Sequence, residues 1–199
     1  MKKTLLNVSM LLTLGLAPLS HAAPQTAVFA GGCFWGVDAV FKHVRGVTEV
    51  VSGYAGGAAN TARYELVSNG DTGHAEAVKI SFDDARISYA QLLQVFFSVA
   101  HNPTELNRQG NDVGTQYRSA IFYTSAAQQQ QAKNSIDSLG KAKVFSAPIV
   151  TQVLPLQAFY PAEDYHQNYL ALHLSQPYIV HHDLPKLSAL QKTFPAFYQ

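Results

Sequence analysis

Strand-like and helix-like segments alternate along the chain, and this alternation restricts the fold more than any other sequence feature. Residues 27–30 form an apolar run that stops at Gly31-Gly32, and from Phe34 to Val44 apolar residues recur at helical spacing. Because helices must cover a sheet of mixed strand order, we expect an α/β or α+β sandwich. The other predicted strands are 47–54, 76–82, 117–123 and 148–154, and the other predicted helices are 88–100 and 125–139, with Gly140 as the stop of the latter.

The first 22 residues have the pattern of a cleavable leader. Lys2 and Lys3 precede an apolar run from Leu5 to Leu19, and Ser20-His21-Ala22 offers small residues before a cleavage site. The run is interrupted by polar residues and is shorter than the about 20 apolar residues of a membrane span. We therefore expect residues 1–22 to be a signal peptide that is removed and residues 23–199 to form one domain without a membrane anchor. A bacterial periplasm is the expected location, and full secretion is the alternative.

Charge and cysteine content narrow the class of protein further. The chain has 14 basic and 13 acidic residues, so it lacks the basic surplus that nucleic-acid binding needs. Its hydrophobic fraction of 47% is sufficient for a folded core. Exported proteins usually pair their cysteines in disulfides, yet Cys33 is the single cysteine of this sequence. An unpaired thiol in that setting suggests a chemical role.

Cys33 follows a predicted strand and a Gly-Gly turn, at the predicted start of a helix. Backbone N–H groups are unpaired there and the helix dipole favours negative charge, so we expect a thiol pKa below the ordinary value and a reactive thiolate. The alternative is that Cys33 is a small buried hydrophobic residue.

Glu76 begins a predicted strand and shares a face with Val78, Ile80 and Phe82, the face that should be buried. Removal from water raises the pKa of a carboxyl group, so Glu76 is expected to hold its proton near neutral pH and to act as an acid. If the strand start is frayed, Glu76 is instead an ordinary solvated carboxylate.

Two tyrosines and several histidines are further candidates. Tyr64 lies in the predicted loop before Glu76, and Tyr117 directly follows the segment 112–116, so either phenol can point into a cleft and donate a hydrogen bond; packing is the alternative role. The histidines do not have the spacing of a zinc site, and no second cysteine is present, so no metal is expected; these are His74, His101, His166, His181 and His182.

Longer motifs around these residues resemble one known family. The segment Gly32-Cys33-Phe34-Trp35-Gly36 is similar to the active-site signature of the peptide methionine sulfoxide reductase A family. The resemblance extends over about residues 28–169, because four further blocks follow in the family's order: 53–57, 72–78, 107–119 and 162–167. It implies a two-layer α+β sandwich with a ferredoxin-like core and a mixed sheet with flanking helices, and it makes residues 23–199 the catalytic domain.

The resemblance also implies roles for individual residues. Cys33 matches the nucleophile, Glu76 matches the acid, and Tyr64 and Tyr117 match hydroxyls that bind the sulfoxide oxygen. The substrate-binding residues that it implies are Phe34, Trp35, Asp112, His166 and Tyr169. For Asp112, His166 and Tyr169, plain structural hydrogen bonding is the alternative.

The implied reaction is reduction of the S epimer of methionine sulfoxide, in proteins, in peptides and as the free amino acid, which leaves Cys33 as a sulfenic acid. Many family members reduce that acid with further cysteines, which this chain lacks. We therefore expect no bound cofactor and an external thiol reductant: a thioredoxin-like protein, a glutaredoxin-like donor or a small thiol. Oxidised proteins and this reductant are the expected partners of a monomer.

Two departures from the family and two alternative functions remain. Asn102 stands where the family usually has Asp, and Ala62-Arg63 precede Tyr64 where Pro-Thr is common; we expect the second change to loosen the loop that positions Tyr64. One alternative function is cysteine acyl transfer, with His74 or His166 activating Cys33. The other is a non-catalytic oxidant sensor that uses Cys33 and grips methionine side chains.

Overall fold

The computed structural model describes residues 25–199, so the predicted leader at residues 1–22 lies outside the described part. The strands in the described part are β1 (Gln25–Ala30), β2 (Val47–Ala55), β3 (Ala75–Phe82), β4 (Arg108–Gln109), β5 (Asp112–Val113), β6 (Ala120–Tyr123), β7 (Gln152–Pro155) and β8 (Phe159–Pro161). The α-helices there are α1 (Phe34–Lys42), α2 (Tyr64–Val67), α3 (Tyr89–Val95), α4 (Ala126–Lys141), α5 (Tyr169–Leu172) and α6 (Leu184–Thr193). Short 3-10 turns cover Ala59–Thr61, Thr115–Tyr117 and Asp164–His166, and π-helical turns cover Phe96–Ala100 and Ile179–Asp183.

A six-stranded mixed sheet in the order β7-β6-β1-β3-β2-β8 forms the centre of the fold. The inner strands β6, β1, β3 and β2 pair antiparallel, whereas β7 pairs parallel with β6. With α1 between β1 and β2 and α3 between β3 and β6, the inner part has the β-α-β-β-α-β order of a ferredoxin-like unit. The expected α+β sandwich with a ferredoxin-like core is confirmed.

The core lies between one face of the sheet and helices α1 and α3. Phe29 on β1 and Ile80 on β3 are fully buried there, together with Phe41 of α1 and Leu92 of α3. Phe29 also stacks on Phe96, with ring centroids 4.8 Å apart. The helix that carries Cys33 at its start is therefore fixed against the sheet by apolar packing.

Helix α3 starts where the sequence predicts, whereas two predicted strands have other ends in the structure. A capping box begins α3, because the Ser88 side chain accepts from the Gln91 N–H and the Gln91 side chain accepts from the Ser88 N–H. The strand predicted at 117–123 begins only at Ala120, because a 3-10 turn occupies the residues before it. The strand predicted at 148–154 is β7, which begins and ends later.

Helix α4 continues through Gly140 and ends at Lys141, so the prediction that Gly140 stops this helix is wrong. A glycine inside an exposed helix weakens it but does not break it, since its backbone can take helical angles. Within residues 25–199, no helix combines the length and the apolar character needed to cross a membrane.

Candidate active site

Cys33 is the N-cap residue of α1, directly after the Gly31-Gly32 turn that ends β1. Gly32 has φ of +88°, a left-handed conformation that L side chains rarely adopt. At Gly31, a Cβ atom would lie 2.8 Å from Cγ of His101, so only glycine leaves room for that ring. The two glycines therefore let the chain turn sharply and place Cys33, which is 8% exposed, at the helix start.

The thiol pKa of Cys33 does not follow the sequence-based expectation. Burial raises the pKa well above the ordinary value, and the nearby carboxyl groups of Glu76 and Asp183 raise it further. The backbone hydrogen bond from Trp35 and the charge of Lys186 act in the opposite direction. The helix start thus favours the thiolate as expected, but desolvation outweighs it, and the prediction of a lowered pKa is wrong for the unliganded protein.

Glu76 lies on β3, the strand next to β1, and is 2% exposed. Its neighbours on the same face, Val78, Ile80 and Phe82, are buried as the alternation predicts. Burial raises the carboxyl pKa to about 8; the hydrogen bond from the Phe34 backbone N–H lowers it, and Asp112 raises it. Glu76 is therefore protonated at neutral pH, as the sequence analysis predicts.

Cys33 and Glu76 line one small cavity of about 160 Å³, which we call the aromatic cavity. Seven of the nine predicted site residues line it, and Tyr178 completes the wall. The lining residues are Cys33, Phe34, Trp35, Tyr64, Glu76, Asp112, Tyr117 and Tyr178. A group of residues far apart in the sequence thus meets at the start of α1.

The phenols of Tyr64 and Tyr117 face this cavity from two different elements. Tyr64 begins α2, and its backbone N–H donates to Oε1 of Glu163 over 3.0 Å, which anchors the loop despite Ala62-Arg63. Tyr117 lies in a 3-10 turn. Burial raises the pKa of both hydroxyls, and Glu76 adds to the shift, so both remain protonated donors at neutral pH.

His166 and Tyr169 are not among the residues that line the aromatic cavity, but they contact residues that do: the His166 ring packs against Phe34, Trp35 and Tyr64, and Tyr169 packs against Trp35. The indole Nε1–H of Trp35 donates to Nδ1 of His166 over 3.1 Å. The Tyr169 ring stacks on Trp35, with centroids 3.7 Å apart and an interplanar angle of 7°. Burial lowers the pKa of His166, which is consistent with a neutral ring that accepts at Nδ1. Both residues therefore orient the indole and do not themselves line the cavity.

The C-terminal segment supplies three site residues that the sequence analysis missed. The Tyr178 hydroxyl donates to Oδ2 of Asp112. Asp183 and Lys186 form an ion pair of 3.2 Å against the first turn of α1. A Cβ at Gly36 would lie 2.1 Å from Oδ1 of Asp183, so the pair depends on a glycine there. The one sequence signal for this contact was Gly36 itself, because a glycine inside a predicted helix indicates that another residue packs closely against it.

His74, one of the two histidines of the acyl-transfer alternative, and His101 are both held by hydrogen bonds outside the aromatic cavity. His74 is buried, accepts at Nδ1 from the Gly57 N–H and contacts the Ala58 carbonyl, and it does not line the aromatic cavity. His101 is bonded to the Phe96 carbonyl and Ser119, and burial lowers its pKa to about 3. Among residues 25–199, no three His, Cys, Asp or Glu side chains are grouped to hold a metal ion.

Comparison with known proteins gives consistent results. A family model described as peptide methionine sulfoxide reductase matches residues 25–197. The chain is 58% identical over 179 residues to peptide methionine sulfoxide reductase MsrA 2 of Mesorhizobium japonicum, covering 89% of this chain and 92% of that protein.

Solved structures of Mxr1 from Saccharomyces cerevisiae are also similar. The reduced form has a TM-score of 0.73 and 31% identity, covering 77% of this chain and 88% of that one. Mxr1 in complex with Trx2 has a TM-score of 0.53 and 22% identity, covering 74% of this chain and 85% of that one. At this low identity, the similarity shows only that the two chains share a fold.

Proposed function

The chain belongs to the peptide methionine sulfoxide reductase A family, and from this premise we propose that it reduces the S epimer with Cys33 as nucleophile and Glu76 as acid. At the coarser level, it is a thiol-dependent oxidoreductase that converts methionine sulfoxide to methionine and so repairs oxidised proteins. One observation carries the finer proposal: Cys33 and a protonated Glu76 line the same aromatic cavity.

The chemistry of a sulfoxide explains why both groups are needed. Its sulfur is a poor electrophile and its oxygen a poor leaving group, so attack requires a proton at the oxygen as the S–O bond breaks. Glu76 supplies that proton, and Tyr64 and Tyr117 supply hydrogen bonds. The Cys33 sulfur attacks the sulfoxide sulfur and forms an S–S bond, while the S–O bond breaks and the protonated oxygen leaves as hydroxide. The hydroxide then attacks the Cys33 sulfur, the S–S bond breaks, and its electron pair leaves with methionine. The oxygen ends on Cys33 as a sulfenic acid, and the thiol proton replaces the one that Glu76 gave.

The high thiol pKa of the free protein fits this order of events. A sulfoxide carries positive charge on sulfur and negative charge on oxygen. When the oxygen binds at Glu76 and the phenols, the positive sulfur faces Cys33 and favours its ionisation. The nucleophile is then formed mainly in the complex, which limits reaction of free Cys33 with other electrophiles.

The epimer preference follows because the three groups on the chiral sulfur must point to three different parts of the cavity. The methyl group packs against Phe34 and Trp35, the oxygen points to Glu76, and the rest of the peptide points to the opening. Exchanging two of these groups would place the oxygen on the aromatic wall. That arrangement leaves the oxygen without a donor, and the family resemblance assigns the accepted arrangement to the S epimer.

An external thiol must complete the cycle, because Cys33 is the single cysteine of the sequence. Small thiols, glutaredoxin-like donors and thioredoxin-like proteins remain candidates. The similar yeast protein Mxr1 forms a complex with Trx2, which supports a thioredoxin-like donor for this chain as well.

The decisive experiment is reduction of a peptide with resolved sulfoxide epimers. With dithiothreitol present, we expect many turnovers of the S epimer and none of the R epimer. Without reductant, we expect one methionine per protein and a dimedone adduct on Cys33, and Cys33→Ser should show neither. Consumption of both epimers would contradict the stereochemical proposal. If the protein consumed at most one equivalent of sulfoxide even with dithiothreitol present, the non-catalytic oxidant sensor would be favoured.

The periplasm remains our proposal for the location, on the basis of the two lysines and the apolar run before residue 23. Expression of the full sequence in a Gram-negative bacterium should give a periplasmic protein whose first residue is Ala23. A cytoplasmic protein that begins at Met1 would contradict this proposal.

A further inference from the structure

Cys33 borders a second cavity in addition to the aromatic cavity. This polar cavity has a volume of about 320 Å³ and is lined by Cys33, His101, Gln109, Asn111, His182 and Lys186, among others. Asn111 is exposed at the turn between β4 and β5, so the cavity opens to solvent there. Cys33 can therefore be approached from a side that the sulfoxide does not use.

The two cavities have different walls and a common boundary. The residues that line the aromatic cavity alone are Phe34, Trp35, Tyr64, Glu76 and Tyr117, whereas the polar cavity alone is lined mainly by amide, imidazole and ammonium side chains. Within residues 25–199, the two cavities share Cys33, Asp112 and Tyr178, and the hydrogen bond between the last two joins them into one partition. An occupant of one cavity therefore leaves the other accessible.

We propose that the polar cavity is the access route of the thiol that reduces Cys33 sulfenic acid. This inference rests on the proposed function, because it needs the sulfenic acid as its substrate. The aromatic cavity has about half the volume of the polar cavity and is lined by the residues that hold the sulfoxide, so it is the less suited of the two to admit a donor thiol. The polar cavity also borders Cys33, and its position beside the exposed Asn111 suits a small thiol as well as the cysteine of a protein donor.

The step balances with thiols alone. The donor sulfur, as its thiolate, attacks the Cys33 sulfur. An S–S bond forms, the S–O bond breaks, and the hydroxyl leaves as water with one proton. A second donor thiol then attacks the mixed disulfide and releases Cys33 as a thiol. Two donor thiols are oxidised to a disulfide, and the sulfenic sulfur is reduced by two electrons.

The test places large side chains at the opening of the polar cavity. Asn111→Trp narrows the cavity, and Asn102→Trp narrows it from a separate loop. The matched control is Val113→Trp, since Val113 lies on the same hairpin, is 67% exposed and lines neither cavity. Each protein is first oxidised with one equivalent of sulfoxide peptide, and the methionine released is measured. Coloured 5-thio-2-nitrobenzoate, dithiothreitol or thioredoxin is then added, and the rate of loss of the sulfenic acid is measured.

We expect the rate constant for the thiol step, divided by that for methionine release, to fall at least tenfold in Asn111→Trp and in Asn102→Trp. Val113→Trp should keep the ratio of the natural sequence. A fall with thioredoxin but not with the small thiols would restrict the route to protein donors. Unchanged ratios with every donor would overturn the inference. Failure of the natural sequence to release methionine would overturn the proposed function instead, so the two failures are distinguishable.

Discussion

Oε2 of Glu76 accepts a hydrogen bond of 3.0 Å from the backbone N–H of Phe34, the first residue of α1. This N–H is one of the donors that a helix start leaves unpaired. The bond joins Glu76 on β3, the proposed acid, to the helix whose N-cap is Cys33, the proposed nucleophile. The position of the carboxyl group relative to Cys33 is therefore set by backbone structure on both sides.

Replacing Glu76 with Gln tests the acid directly. Glu76→Gln keeps an oxygen that can accept from Phe34 but removes the transferable proton. We expect the rate of methionine formation in a single turnover to fall by about 10²-fold or more, which is the usual contribution of general acid catalysis. His74→Ala is the control, because His74 lies outside the cavity. A large loss in His74→Ala with a small loss in Glu76→Gln would favour a Cys–His pair.

The raised pKa of Glu76 also predicts how stability depends on pH. Its carboxyl pKa is about 8 in the folded protein against an ordinary value of 4.5. Between these two pKa values, the folded state keeps a proton that the unfolded chain has released. The contribution of protonated Glu76 to the free energy of unfolding is therefore complete below the pKa of the unfolded chain, and it is lost as the pH rises through the pKa of the folded protein.

Relative to Glu76→Gln, we expect the free energy of unfolding to decrease by up to roughly 5 kcal/mol between about pH 4 and pH 9, at 1.36 kcal/mol for each pKa unit. Urea unfolding of both proteins at several pH values measures this difference. A constant difference across the range would show that Glu76 ionises normally.

Two glycines in helices should respond to alanine in opposite directions. In Gly36→Ala, the new Cβ would lie 2.1 Å from Oδ1 of Asp183 and 2.7 Å from Nζ of Lys186. Overpacking of this kind costs about 1–3 kcal/mol of unfolding free energy. In Gly140→Ala, no atom outside the neighbouring residues and backbone of the helix itself lies within 4 Å of the new Cβ in residues 25–199, and we expect a gain of about 0.4–1 kcal/mol. Equal effects at both positions would contradict the close approach at Gly36.

Tyr169 should affect substrate binding more than chemistry, because it supports the indole of Trp35 from behind. Tyr169→Ala removes the stacked ring, and we expect KM for a sulfoxide peptide to rise about threefold to tenfold, on the order of the 0.5–1.5 kcal/mol of an aromatic pair. The value of kcat should change less. Tyr169→Phe retains the ring and should restore KM; if it behaves like Tyr169→Ala, the hydroxyl and not the stack is the important feature.

Local patterns in the sequence were sufficient for the central part of the site. The apolar run, the Gly-Gly turn and the helical spacing after it place Cys33, and alternation in the next strand places Glu76 on the buried face. The ferredoxin-like order came from the family resemblance, since strand pairing is not a local property. Tyr178 and Lys186 were missed because they reach the site only when the C-terminal segment docks on Gly36. The thiol pKa was predicted in the wrong direction because desolvation depends on every neighbour in space.

The pairing of β1 with β3, in which Phe29 faces Val78, has a consequence for how this protein can change over evolution. Insertions in the loop that follows α4 leave the ladder intact. Loss of one residue inside β1 would turn its following side chains to the opposite face and shift the Gly-Gly turn past its partner strand. Reductase activity should therefore tolerate variable length in the loop after α4 and be abolished by single-residue deletions within these two strands.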